Sequence, residues 1–111
     1  METLNKIELR GNVGNVRISD VGENQVARFS IATNYINRNK NGETNIETTW
    51  HNVVAWSNKD FPDLKKIEKG CGIYVCGRVR TNKYTANDGT EKQNQEVVAN
   101  LIEVLHKSQT Y

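Results

Sequence analysis

Five aromatic residues, Tyr35, Trp50, Trp56, Tyr74 and Tyr84, fall on or beside segments that also carry Arg28, Arg38, Lys40, Lys69, Arg78, Arg80 and Lys83. A ring offers a π-face on which an unstacked nucleobase can lie, worth roughly 1–3 kcal/mol per base. A cation offers a counter-charge to phosphate. The cations are segregated from the acids. Between Glu23 and Glu43 stand Arg28, Arg38 and Lys40 with no Asp or Glu, and between Glu68 and Asp88 stand Lys69, Arg78, Arg80 and Lys83, again with none. Taken singly, such charges are simply solvated on exposed strands. Their coincidence with the rings points to a polyanion whose bases are free, because a duplex hides its base faces. The competing assignment puts one or both tryptophans in the core or at a subunit contact.

Other chemistry is poorly supported. The histidines are His51 and His106, and the cysteines are Cys71 and Cys76. That set lacks zinc-ligand spacing, and a disulfide would have to close within one extended segment. Two reduced, partly buried thiols are expected, with no metal and no cofactor. No phosphate-cradling Gly-rich loop or nucleophile elbow occurs. Asp60 and Asp63 suit a helix N-terminus, and His51 sits at an inward strand position. No catalytic residue is expected, and the chain reads as a non-enzyme.

The elements that must position these groups are mostly strands. Lys6–Val13 alternates with Ile7, Leu9 and Val13 on one face, and Gly11 and Gly14 suggest a bulge or sharp bend. A second strand over about Gln25–Tyr35 puts Ala27, Phe29, Ile31 and Thr33 together. The polar stretch Asn37–Asn45, with Asn-Gly inside it, is an exposed hairpin tip. A third strand over about Glu47–Ser57 points Trp50, Asn52, Val54 and Trp56 one way and His51, Val53 and Ala55 the other. Asp60–Lys69 is the helix candidate: Asp60 as N-cap, Pro62 in the first turn, Phe61, Leu64 and Ile67 as an apolar stripe, Gly70 as stop. A fourth strand over about Cys71–Tyr84 opposes Ile73, Val75, Gly77 and Val79 to Tyr74, Cys76, Arg78 and Arg80. A turn-rich tip follows, then a last strand over about Glu96–Leu105. Five strands with one mid-chain helix predict an all-β, five-stranded barrel, since an immunoglobulin-like sandwich would want about seven.

The totals agree. The chain has 111 residues, 36% hydrophobic and 25% charged, with 15 Lys+Arg against 13 Asp+Glu and a net charge of +2. That is one domain in size and no polybasic protein. No apolar run is long enough to span a bilayer and no secretory leader is recognisable, so the expected compartment is cytoplasmic.

The series Asn5–Gly14, Phe29–Thr33, Thr49–Val54, Lys69-Gly70, Ile73–Val75, Gly77–Thr81 with Lys83-Tyr84, and Glu96–Ala99 resembles the bacterial single-stranded DNA-binding protein (SSB) family, in order over about residues 4–105. The resemblance implies an OB-fold, a Greek-key barrel with a helix between strands 3 and 4. It also implies a homotetramer that coats single-stranded DNA in replication, recombination and repair, at the nucleoid and without sequence preference. Carried over, the stacking rings are Trp50, Trp56 and Tyr84. The phosphate contacts are Lys6, Arg38, Lys40, Lys69, Arg80 and Lys83, to which the charge pattern adds Arg28. His51 and Tyr74 match oligomer-interface positions.

Three positions depart from the family pattern. Asn37 stands where many relatives have tryptophan, so one stacking platform is either lost or displaced to Tyr35. Asn52 replaces a frequent basic residue. After an OB domain over 1–107, residues 108–111 form a short extension in place of the usual Gly/Gln/Pro-rich tail with its acidic tip. The resemblance is thus to a short form or to a trimmed longer one, without the tip through which relatives recruit replication and repair proteins. The alternatives are a primosomal or RNA-binding OB module, or a protein-interaction OB domain without nucleic-acid binding.

Overall fold

A computed structural model describes residues 2–58 and 63–105. Five strands, β1 (Ile7–Val21), β2 (Asn24–Arg38), β3 (Thr44–Trp56), β4 (Gly72–Thr85) and β5 (Glu91–Leu105), close into a barrel in the order β1-β2-β3-β5-β4. All ladders are antiparallel except β3 with β5, which meet in a short parallel pairing of Val53 with Val97 and Val54 with Val98. The inward alternation predicted for the first four strands is seen, except that Val54, at an outward position of β3, is also fully buried. Leu9, Val13, Ala27, Phe29, Ile31, Val53, Ala55, Ile73, Val75, Val97, Ala99 and Ile102 form one buried cluster.

Two bulges bend the sheet enough to close it. In β1, Val13 faces Ile31 while Val16 faces Phe29, so one extra residue lies between them. This is the irregularity that Gly14 signalled. In β5, Leu101 faces Cys76 but Ala99 faces Gly77, so Asn100 is the extra residue. It switches the strand's inward set from Val97 and Ala99 to Ile102 and Val104, and turns Leu101 outward.

The arms of both long hairpins exceed expectation. β2 and β3 stay paired out to Arg38 and Thr44, and β5 begins at Glu91, not near Glu96. Polar cross-strand pairs such as Asn34 with Thr48 and Asn82 with Asn94 continue the ladders where the apolar alternation has ended.

The helix expected over Asp60–Lys69 is corrected. Lys59–Pro62, which include the anticipated cap and Phe61, lie outside the described residues. Beyond them stands only a 3-10 turn at Leu64–Lys66, capped by Asp63, whose side chain accepts from Lys65 N at 3.0 Å. Ile67 has already returned to extended backbone. The stripe recurred every three residues, which is the 3-10 period rather than 3.6. One tight turn suffices to seat Leu64 and Ile67 on the core.

Candidate nucleic-acid interface

Strand parity on β3 puts Trp50 and Trp56 on the outside of the barrel, roughly 20 Å apart along the strand. They are 58% and 43% exposed. Neither fills the core. Between them Asn52 is exposed, whereas Val54 is fully buried and presents no surface of its own.

Trp50 owes its seat to two small residues. A Cβ on Gly14 would lie 2.5 Å from the indole Cζ3 and 2.6 Å from the Ser30 hydroxyl. The Ser30 Oγ in turn accepts from Asn15 N at 3.2 Å, so the β1 bulge forms a shelf beside the ring. Lys69 lines the same hollow with Gly14, Asn15, Ser30 and Trp50. It is held there because Gly70 N donates to Val13 O at 2.8 Å and Val13 N donates to Cys71 O at 2.9 Å.

Next to this hollow runs an open groove of about 500 Å³, lined among others by Arg17, Arg28, Asn52, Asn82 and Glu96. Neither Arg28, which lines it, nor Arg80 beside Glu96 on the β4–β5 ladder stands alone. Both pair with Glu96, Arg28 at 3.3 Å and Arg80 through Nε at 3.0 Å and also through Nη2. Farther along β4 and β5, Tyr84 lies opposite Lys92 and, 46% exposed, shares a surface with Lys83. Lys83 has the opposite strand parity to Tyr84 and Arg80.

The remaining predicted residues are dispersed. Arg38 and Lys40 are exposed at the end of the β2–β3 hairpin. Tyr35 is exposed too, but it pairs with Glu47, and parity places it on the face of that ladder opposite Trp50. Lys6 pairs with Glu8 at 3.3 Å, and the hydrogen bond and charge of that carboxylate raise its pKa. Tyr74 lies on β4 opposite Arg10 of β1, whose guanidinium is 5.8 Å from its ring centroid. Burial first, then the Glu8 charge, push its phenol upward. His51 is half-buried, its Nε2 2.8 Å from the Thr33 hydroxyl.

Both cysteines are free. Among the described residues no group of His, Cys, Asp or Glu is placed to hold a metal, and no helix is long and apolar enough to cross a membrane.

Four contributors escaped the sequence reading: Arg17 in the groove, Gly14 as the space beside Trp50, Lys92 and Glu96. The last two were findable. A turn at Asp88-Gly89, once taken as the centre of a hairpin, sets Tyr84 opposite Lys92 and Arg80 opposite Glu96.

A closed five-stranded barrel with rings and cations along β3 and its neighbours is an OB-fold. Residues 4–105 match the single-strand binding protein family, and the chain belongs to it. It is 33% identical over 105 residues to the single-stranded DNA-binding protein of Xanthomonas axonopodis pv. citri, covering 92% of this chain and 58% of that protein. The corresponding protein of Neisseria meningitidis serogroup A is 33% identical over 106 residues, covering 93% and 60%. The chain therefore spans about three-fifths of the length of these relatives. Among solved structures, a Plasmodium falciparum SSB in complex with ssDNA superposes with a TM-score of 0.80 at 33% identity, covering 96% of this chain and 97% of that one. A deletion mutant of the single-stranded DNA binding protein from Thermus aquaticus shares the fold, with a TM-score of 0.74 at 18% identity over 95% of this chain and 52% of that one.

Proposed function

We propose that this protein binds single-stranded DNA without sequence preference and without catalysis, as a homotetramer acting at the nucleoid in replication, recombination and repair. Residues 1–107 would be the binding domain. The observation that carries the reading is the placement of Trp50 and Trp56, both solvent-exposed on one strand, beside a groove lined by Arg17 and Arg28. Bases stack on the rings while the cations neutralise the backbone, and neither interaction depends on base identity.

Trp50, Trp56 and Tyr84 are the stacking residues on this reading, with Tyr35 reached only by a strand that turns around the hairpin. Lys69, Arg28, Arg80 and Lys83 contact phosphates near the rings, and Arg38 and Lys40 do so at the hairpin end. Lys6 contributes less, because Glu8 already occupies it. His51 and Tyr74 serve assembly.

The test is intrinsic tryptophan fluorescence during titration with poly-dT. Strong quenching at low salt is expected, and Trp50→Ala or Trp56→Ala should each weaken binding by about 1–3 kcal/mol. Unquenched emission throughout would refute the proposal. Competition with poly-rU separates DNA from RNA preference.

A further inference from the structure

Among the described residues, Glu96 is the buried charged side chain, 5% exposed, and it lies in the groove where phosphates are to bind. Arg80 stands directly opposite it across the β4–β5 ladder, and Arg28 reaches it from β2. One carboxylate oxygen, Oε1, accepts from Arg80, and the other, Oε2, accepts from Arg28. The Arg28 and Arg80 side chains are 55% and 44% exposed. Each therefore touches the buried anion on one side and keeps exposed surface for a phosphate on the other, Arg28 in the groove itself.

We propose that Glu96 is a positioning residue for the bound strand, a role that rests on the function read above. Two arginines brought together on one sheet repel, and without an anchor each would swing out to a separate phosphate. The carboxylate holds them as a trio of net charge +1. A phosphate that approaches either cation also meets the anion between them. The trio therefore receives one monoanionic phosphodiester rather than two. Because Glu96 is buried, salt screens it less than it screens exposed pairs. Glu96 thus limits affinity and the salt dependence of binding while fixing where the backbone crosses the groove.

The test measures log K against log [NaCl] with a fluorescent oligo-dT for the wild-type chain, E96Q, R80Q and R80Q/E96Q, each checked for folding by circular dichroism. For single strands the slope changes by about 0.7 per phosphate neutralised. E96Q should bind more tightly at low salt and show a slope steeper by about 0.7, an extra roughly 2.6-fold loss of affinity per fourfold rise in salt. R80Q should be shallower by about 0.7, and R80Q/E96Q should return to the wild-type slope, since Arg28 alone again carries +1. If E96Q does not fold, R80Q against R80Q/E96Q reads the same quantity, because that pair buries no unpaired charge. An unchanged or shallower slope in a folded E96Q, or identical slopes for R80Q and R80Q/E96Q, overturns the proposal. Failure of the wild-type chain to bind oligo-dT would instead bring down the functional reading on which it rests.

Discussion

At the scale of single residues, two glycines show how different the same missing Cβ can be. At Gly14 the added atom would meet the Trp50 ring and the Ser30 hydroxyl, both of them side-chain atoms that can move. At Gly77 it would lie 2.1 Å from the Val98 carbonyl oxygen, which is backbone across the β4–β5 ladder. Gly14→Ala should therefore leave the barrel folded but push the indole off its shelf. We expect shifted tryptophan emission and poly-dT binding weaker by up to about 1–3 kcal/mol, the worth of one stack. Gly77→Ala should do the reverse: overpacking that destabilises by about 1–3 kcal/mol or more, with the folded fraction binding normally. Thermal melts beside titrations check both, and equal effects of the two variants on melting would contradict the distinction.

At the scale of elements, the long hairpins carry rings and cations beyond the apolar core, so their turns must hold themselves in shape by local polar contacts. In the β2–β3 turn the Asn39 side-chain oxygen accepts from Asn41 N at 3.0 Å and Glu43 N at 2.9 Å. In the β4–β5 turn, Oδ1 of Asp88 accepts from Thr90 N at 3.0 Å and from the Thr90 hydroxyl at 2.5 Å, and Gly89 takes a φ of 84°. Those two donors hold the Asp88 carboxyl below the usual carboxylate range. A depressed folded pKa means the turn gains stability above the unfolded value and loses it as pH falls through the lowered one. Thr90→Val should raise the Asp88 pKa towards normal, which carboxyl-detected NMR titration reads directly. A titration curve unmoved by the substitution would show that the hydroxyl is not the cause.

At the scale of the whole molecule, closure of the barrel distributes surfaces. The Trp50–Trp56 strip runs along β3, while Glu8, Arg10, Tyr74, Cys76 and the exposed Leu101 share cross-strand positions on β1, β4 and β5. Through Tyr74 the proposed tetramer uses this second area, while its other proposed contact, His51, lies on β3 next to Trp50. Light scattering at micromolar concentration should give a mass about four times the 12.6 kDa of the chain, and Tyr74→Arg should lower it. A monomeric wild-type protein would remove the assembly part of the proposal.

Much of this architecture was legible from alternation alone. Period-2 patterning is a local consequence of burying one face of a strand, so the five strands, the inward residues of the first four and the outward direction of Trp50 and Trp56 could be read along the chain. The bulge at Asn100 hid the inward set of the fifth. The helix was misread because a three-residue stripe fits a single 3-10 turn as well as a longer element, and only packing against the core chooses between them. The arms of the hairpins were underestimated because polar cross-strand pairs carry no hydrophobic signal. What no stretch of sequence contains is proximity between strands. Arg28 and Glu96 come from opposite parts of the chain, Gly14 and Trp50 from different strands, and Lys69 from a loop. The order of cations, acids and rings along the strands determined that a basic, ring-bearing sheet would exist. Barrel closure, by setting register and bulges, decided which cations an acid would restrain and which ring would have room to stand open.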